Sequence, residues 1–153
     1  MYFITICTFE KQSFFTCEEA VKDVLCCLKQ EADGFLFTIY AYCFMPDHLH
    51  LLLISDEDAD LVKFMKMFKQ KSSYYFKKQN GKKLWQGSYF DHVIRKEKQI
   101  NDIAGYIFYN PVRKKMVDDF REYPYLGSFM FELDQFYEMY AQKSNIDIDL
   151  MRL

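Results

Sequence analysis

The alternation of hydrophobic and polar positions along the 153-residue chain divides it into short strands and amphipathic helices. Segments 2–9, 35–44, 48–54 and 89–95 are rich in β-branched and aromatic residues or alternate with a period of two, which predicts four strands. Apolar residues recur at helical spacing in segments 17–31, 58–77 and 98–108, which predicts three helices. We expect Thr16 to cap the first helix and Pro111 to stop or kink the third.

The order of these elements is βαββαβα, with a hairpin between the second and third strands. Its first six elements are typical of an α+β protein with the ferredoxin-like arrangement, in which two helices cover one face of an antiparallel sheet. The third helix is an addition to that arrangement. We assign residues 1–120 to one domain and residues 121–153 to an acidic C-terminal extension packed on or beside it.

The composition is that of a globular protein, since half of the residues are hydrophobic and 19% are aromatic. It excludes disordered and collagen-like chains. Charged residues interrupt every apolar run before it reaches the ~18 residues of a membrane span. The first ten residues resemble a strand rather than a signal peptide, so we expect a cytoplasmic protein without a membrane partner. The five cysteines form no CxxC pair, which argues against a zinc knuckle or a disulfide framework.

The charges are strongly segregated along the chain, although the net charge is only −2. Residues 1–60 carry 3 basic and 11 acidic side chains, whereas residues 61–90 carry 8 lysines and no acidic residue. Such a block can form a positive surface for nucleic acid, and a solvated helix face would give the same count.

Two histidines, His48 and His50, lie at the start of the third predicted strand. Residues i and i+2 of a strand face the same way with Cα atoms roughly 6.5–7 Å apart, so two imidazoles can converge on one metal ion. Two histidines at the rim of a core would give the same pattern. A metal needs more than two ligands, so the metal-site interpretation depends on finding the others nearby.

The third predicted helix contains candidates for the rest of such a site. Tyr106 and Asn110 lie at i and i+4 on the flank of its apolar stripe, whereas Tyr109 falls opposite the stripe and is expected to be more exposed. Tyr106 is therefore the better candidate nucleophile, and the amide oxygen of Asn110 is the better candidate third ligand. His92 is either a hydrogen-bonded histidine at a core edge or a residue that supports the site or contacts DNA.

Three ordered blocks of sequence carry a resemblance to a known family. They are MPDHLH at 45–50, WQGSYFDHVIR at 85–95 and YIFYNPVR at 106–113. Together they resemble the IS200-like single-tyrosine transposases over about residues 1–130, and most closely the REP-associated tyrosine transposase branch. Members of this family are HUH (His-hydrophobe-His) endonucleases on a ferredoxin-like core.

The resemblance implies a metal-dependent endonuclease and strand-transferase that acts on single-stranded DNA containing a hairpin. It implies that His48, His50 and Asn110 bind Mg²⁺ or Mn²⁺, and that Tyr106 attacks a phosphodiester to give a 5′-phosphotyrosine. Whether Tyr106 serves the histidines of its own chain or of a second copy stays open, so the protein is expected to be a monomer or a homodimer.

The basic block then becomes the predicted DNA-binding surface, together with two arginines near the fourth strand and third helix. Its members are Lys63, Lys66, Lys69, Lys77, Lys78, Lys82, Lys83, Arg95 and Arg113. Candidates for stacking on bases are Tyr74, Tyr75, Trp85 and Tyr89, although several of these are expected in the core. Two alternatives stay open: a noncatalytic single-stranded nucleic-acid binding module on the same fold, and a metal hydrolase that uses activated water.

Overall fold

A computed structural model of the chain describes residues 1–143, without the side chains of residues 98 and 141–143. In this part of the chain the strands are β1 (Tyr2–Cys7), β2 (Phe37–Met45), β3 (His48–Ser55), β4 (Phe90–Val93) and β5 (Leu126–Gly127). The helices are α1 (Glu18–Gly34), α2 (Leu61–Asn80), α3 (Ile100–Phe108), α4 (Asn110–Arg113) and α5 (Leu133–Lys143). None of these helices is both long enough and apolar enough to cross a membrane.

The five strands form one antiparallel sheet in the order β4-β1-β3-β2-β5. The first four strands in that order are those of the ferredoxin-like βαββαβ arrangement, so the predicted fold class is confirmed. The fifth strand extends the sheet beside β2, where Leu126 pairs with Cys43. It was not predicted, because two residues are too short for a hydrophobic period to be visible.

Alternation along β3 separates two cores on the two faces of the sheet. Leu49, Leu51 and Leu53 are fully buried in the core that α1 and α2 cover. Leu52 faces the opposite way, into the core that α3 and the C-terminal elements cover. Because His48 and His50 share the parity of Leu52, both imidazoles lie on the α3 face of the sheet.

A β-bulge in β2 changes which face of the sheet the odd-numbered residues of this strand point to. The register with β3 shifts between Ile39 and Ala41, which leaves Tyr40 as the extra residue. Ile39 belongs to the core under α1 and α2, whereas Ala41 and Cys43 are fully buried under α3. These two small side chains allow α3 to lie close to the sheet beside the histidines.

The ends of two helices differ from the sequence-based expectation. Cys17, not Thr16, is the residue before α1, and no side chain caps that helix end, so the predicted cap is wrong. The second helix begins at Leu61 because the carboxylate of Asp60 accepts a hydrogen bond from the backbone N–H of Lys63 at 3.0 Å.

The described part of the C-terminal segment packs into the core under α3. Phe120, Tyr123, Leu126 and Phe136 are all buried there, and the Tyr123 hydroxyl donates a hydrogen bond to the Phe44 carbonyl at 2.8 Å. The domain boundary at residue 120 stays a prediction, but segment 121–143 supplies a strand and core side chains to the sheet. The remainder of the predicted acidic extension, residues 144–153, lies outside the described residues.

We expect Phe136→Ala to destabilise the whole fold. The Phe136 side chain is 1% exposed, and its ring centroid lies 4.9 Å from that of Phe108. Removing it leaves a cavity, which costs about 3–5 kcal/mol in the free energy of unfolding. Met130→Ala is the control, because Met130 is 53% exposed. Urea unfolding measures both variants, and equally small losses would show that α5 is outside the cooperative unit.

Candidate active site

The two histidines at the start of β3 point their Nε2 atoms at each other. These atoms, of His48 and His50, lie 3.1 Å apart. Two ligand atoms at right angles around a cation, each ~2.1 Å from it, are about 3.0 Å apart. The two imidazoles therefore have the spacing that an octahedral divalent metal requires of adjacent ligands.

The other nitrogen of each ring is held by a neighbouring polar group. His50 Nδ1 lies 2.8 Å from the hydroxyl oxygen of Thr5 on β1, and His48 Nδ1 lies 2.6 Å from a carboxylate oxygen of Asp47. Such partners fix the ring orientation and leave the Nε2 atoms for a metal. The donor set thus fits a bound divalent cation.

The environment of His50 keeps its imidazole neutral. Its side chain is buried, and burial is the main reason why the pKa of His50 is lowered to about 3. The nearby His48 and Arg113 contribute to this lowering, while Asp47 opposes it. A neutral imidazole is the form that binds a metal ion, so no proton has to leave His50 first.

Tyr106 on α3 lies directly beside the histidine pair. Its half-buried ring is 5.9 Å from the ring of His50 and 5.9 Å from that of Phe3, measured between centroids. Phe3 also stacks on His50 at 5.7 Å. The guanidinium of Arg113 lies 4.6 Å from the centroid of the Tyr106 ring. The structure thus brings together the predicted nucleophile, the predicted His ligands and a cation.

Asn110 is buried at the junction between α3 and α4, with 5% of its surface exposed. Tyr109 keeps right-handed helical backbone angles between the two helices, so Asn110 stays about one turn after Tyr106. Pro111 stops α3, as predicted, and lies in the first turn of α4, where no backbone N–H is needed.

The Asn110 amide is a suitable donor group for a metal. Within residues 1–143, the Asn110 side chain makes no hydrogen bond, and no fully buried side-chain nitrogen or oxygen lacks a partner, so the amide atoms keep some access to solvent. The same residues contain no group of three or more His, Cys, Asp or Glu side chains that could hold a metal ion. An amide oxygen is a further type of ligand that hard divalent cations accept.

Tyr109 is less exposed than the sequence suggested. Its ring packs against Phe120 at 5.0 Å and Tyr140 at 5.9 Å, and burial raises the pKa of its phenol. Tyr109 was expected to be more exposed than Tyr106, but both are half-buried, because the C-terminal segment covers the Tyr109 side of α3. Tyr109 therefore packs away from the histidines, which leaves Tyr106 as the tyrosine beside them.

A family model described as "Transposase IS200 like" matches residues 1–110. The chain belongs to this family. Over 82% of its length it is 28% identical to a Haemophilus influenzae protein named as a REP-associated tyrosine transposase, and it covers 77% of that protein. Over 58% of its length it is 26% identical to the Escherichia coli K12 REP-associated tyrosine transposase, and it covers 53% of that protein. The resemblance found in the sequence is confirmed.

Two solved structures share the fold of this transposase. One is a REP-associated tyrosine transposase bound to a REP hairpin, with a TM-score of 0.70, 20% identity and coverage of 82% of this chain and 74% of that one. The other is a Deinococcus radiodurans protein described as a transposase, with a TM-score of 0.55, 23% identity and coverage of 69% and 86%. The protein is a single-tyrosine transposase, an enzyme that acts on DNA.

The lysine-rich helix α2 lies on the face of the sheet opposite the histidines. Its buried side chains Phe64, Phe68 and Phe76 belong to the core shared with α1. The helix starts after β3 ends and runs back toward the end of the sheet where His48 lies. Fourteen residues separate Lys63 from Lys77, which is about 21 Å along the axis. The lysines of α2 therefore cannot all contact DNA at one point near the histidines.

The C-terminal end of α2 and the following loop lie at the His48 end of the sheet. The ammonium groups of Lys82 and Lys83 lie over the rings of Phe14 and Phe9, at 5.8 and 4.6 Å from the centroids. Phe15 lies in the segment between β1 and α1 that contains Phe9 and Phe14, and its backbone N–H donates a hydrogen bond to the Pro46 carbonyl at 3.1 Å. Four predicted DNA contacts share this end: Lys77, Lys78, Lys82 and Lys83.

The other predicted DNA contacts are placed differently. The Lys69 ammonium donates to the carbonyls of Gln86 and Gly87 at 2.9 and 2.7 Å, so in the free protein it holds a loop. Lys63 pairs with Asp60 at 3.2 Å. Lys66 is exposed on α2, and Arg95 is exposed after the end of β4.

The aromatic candidates for base stacking separate into buried and exposed residues. Trp85 is 2% exposed and donates its indole N–H to the Ser72 hydroxyl, so it is one of the candidates that lie in the core. Tyr74 and Tyr75 are 63% and 55% exposed on α2, and Tyr89 is half-buried.

His92 lies on the exposed edge strand β4. It pairs with Phe3 in the sheet register, and its side chain is exposed because β4 is an edge strand. The interpretation of His92 as a core-edge residue is therefore wrong. His92 lies beside Phe3 on the sheet face that carries the two histidines. The other interpretation, a residue that supports the site or contacts DNA, therefore stays a prediction.

Sequence reasoning missed Phe3 and Thr5, which hold His50 from the neighbouring strand. The signal was present, because the ferredoxin-like order places β1 beside β3 and the two residues share one face of β1. What the sequence did not reveal is the register, which pairs Thr5 with His50.

Proposed function

We propose that this transposase cleaves and rejoins single-stranded DNA through a covalent bond to Tyr106. In this proposal a divalent metal ion, Mg²⁺ or Mn²⁺, is held by His48, His50 and Asn110. The observation that carries the proposal is the convergence of two Nε2 atoms, 3.1 Å apart, beside the Tyr106 ring. One chain contains both parts, which supports a site built within a single copy.

The chemistry follows from the residues at the site. The Tyr106 oxygen attacks phosphorus, the bond to the 3′ oxygen breaks, and the phenolic proton is lost while the 3′ oxygen gains one. The products are a 5′-phosphotyrosine and a free 3′-OH. A second 3′-OH can reverse the step, so strands are exchanged without ATP. When bound, the metal polarises the phosphate and offsets the developing charge.

Arg113 is proposed to support the same step from its position over the Tyr106 ring. Its guanidinium lies over the Tyr106 ring, within reach of a phosphate that approaches the phenolic oxygen. A fixed cation at this position stabilises the negative charge that develops on the phosphate during the attack. Arg113 is therefore proposed to contact the phosphate that is cleaved, rather than distant parts of the DNA.

Hairpin-containing single-stranded DNA is the proposed substrate. A structural relative of this transposase was solved bound to a REP hairpin, and the basic end of the fold supports the same class of partner here. We propose that Lys77, Lys78, Lys82 and Lys83 contact the hairpin backbone while a flanking single strand reaches Tyr106. Such a substrate makes the cytoplasm the proposed compartment.

One assay tests the proposed function. The protein is incubated with Mn²⁺ and a labelled hairpin oligonucleotide taken from DNA beside its own coding sequence, and products are separated on a denaturing gel. A labelled band that migrates with the protein supports the covalent mechanism. Cleavage without such a band points to a hydrolase, and binding without cleavage points to a noncatalytic module.

We expect the two ends of α2 to differ in their contribution to DNA binding. The double variant Lys82→Gln/Lys83→Gln should weaken hairpin binding and lower the slope of log K against log salt by about 1.8, since each phosphate contact on the duplex stem contributes about 0.9. The matched variant Lys63→Gln/Lys66→Gln removes the same charge at the far end and should leave the slope nearly unchanged. Fluorescence anisotropy across a salt series measures both, and equal effects would contradict the placement.

A further inference from the structure

A cleft of about 560 Å³ lies beside His48, on the side away from the basic helix. Binding sites for small organic ligands have volumes of about 300–1,000 Å³, so the cleft is large enough for one nucleotide unit. Cys7, which pairs with His48 in the sheet register, lies in its lining. Three lining residues also belong to the histidine site: His48, its partner Asp47, and Thr5, which is the partner of His50.

The lining of the cleft has the mixed chemistry that a nucleotide requires. Lys11, Ser13 and Lys114 supply cations and a hydroxyl. Met45, Pro46 and Met116 supply apolar surface on which a base can lie. Asp47 also lines the cleft and its carboxylate contacts His48 Nδ1, but the two lysines outnumber it, so the net charge of the lining favours a phosphate.

The wall that carries Lys11 is tied to the turn that carries His48. The buried Thr8 hydroxyl lies within hydrogen-bonding distance of the Gln12 and Asp47 carbonyl oxygens, at 2.7 and 3.0 Å. The Thr8 backbone N–H donates to the Asp47 carbonyl at 2.9 Å. Lys11 itself has φ 51°, a strained angle that the surrounding bonds maintain. The cleft and the His pair therefore form one preorganised unit.

We propose that this cleft binds one nucleotide of the single strand, adjacent to the phosphodiester that Tyr106 attacks. The proposal rests on the proposed function, because it takes single-stranded DNA as the occupant. His48 faces both the cleft and the His50 Nε2 atom, so a phosphate bound at the His pair places its neighbouring nucleotide in the cleft. The lysines then contact the next phosphate, and the apolar wall contacts the base.

Alkylation of Cys7 tests the occupancy of the cleft directly. The Tyr106→Phe variant is treated with a thiol reagent in the presence and absence of the hairpin oligonucleotide with single-stranded flanks, and each cysteine is followed by mass spectrometry. With DNA at about ten times its Kd, about a tenth of the protein is free, so Cys7 should react about tenfold more slowly. Cys26 is exposed on α1, on the other face of the sheet, and should react at an unchanged rate.

An unchanged Cys7 rate with saturating DNA would overturn the proposal. Because Tyr106→Phe lacks the nucleophile, this readout does not depend on cleavage. Protection of Cys7, combined with a wild-type protein that forms no adduct, would reject the covalent mechanism and leave the nucleotide cleft supported. A covalent adduct formed by the wild-type protein, combined with a Cys7 that DNA does not protect, would support the covalent mechanism and reject the nucleotide cleft.

Two substitutions give a second measurement. Lys114→Gln should lower the salt slope of binding by about 0.7, whereas Lys115→Gln, one residue outside the cleft lining, should not. In a series of oligonucleotides that each carry one abasic position, removal of the base at one flanking position should weaken binding at least about fivefold, as loss of one stacked base predicts. Met116→Ala should remove that difference, and the absence of any such position would contradict base binding.

Discussion

A Tyr106→Phe variant is expected to form no covalent adduct with hairpin DNA and to lose at least about a thousandfold in cleavage rate. The substitution removes only the phenolic oxygen that is proposed to attack phosphorus. Within residues 1–143 this hydroxyl makes no hydrogen bond, and the ring contacts with Phe3 and His50 remain in the variant. Folding and DNA binding should therefore be preserved, and a denaturing gel with labelled DNA measures the adduct.

Tyr109→Phe is the matched control for this experiment. It removes the same atom three residues later, from a ring that packs on Phe120 and Tyr140. This variant should form the adduct at close to the wild-type level. Cleavage that survives Tyr106→Phe would contradict a tyrosine nucleophile and favour water, while loss of the adduct only in Tyr109→Phe would show that the wrong tyrosine was chosen.

The parts of the site that could be predicted from the sequence depend on local geometry. His48 and His50 lie on one face because a strand alternates with a period of two, whatever the rest of the chain does. Tyr106 and Asn110 lie one turn apart because four residues make about one helical turn. The order of strands follows from the element order, since few topologies accommodate a βαββαβ series.

The parts that could not be predicted depend on contacts between distant segments. The exposure of Tyr109 is set by Phe120 and Tyr140, and the segment that contains them shows little hydrophobic periodicity. Trp85 can be buried because its indole N–H donates a hydrogen bond to Ser72 on α2, and no local sequence pattern reveals this pairing. The charge block was visible as a count, but α2 is long enough to place its two ends at opposite ends of the sheet.

Loss of His48 should separate catalysis from DNA binding. A His48→Ala variant removes one of two converging Nε2 atoms, which should weaken Mn²⁺ binding. Its cleavage rate should fall as low as that of Tyr106→Phe. His48 is the better of the two histidines to replace, because His50 is buried under Phe3 and its loss would also leave the Thr5 hydroxyl without its partner. Calorimetric titration with Mn²⁺ measures the metal, and the denaturing gel measures cleavage.

Asp47→Asn gives the graded control for His48→Ala. It keeps both imidazoles but weakens the partner of His48 Nδ1, and such changes typically cost 10–100-fold in metal affinity or activity. Activity in this variant should therefore fall partway and recover at higher Mn²⁺ concentration, whereas His48→Ala should not recover. Hairpin affinity should remain near wild type in both variants, because the lysines at the end of α2 supply it. An equal collapse of affinity and cleavage in His48→Ala would mean that the metal site itself holds the DNA.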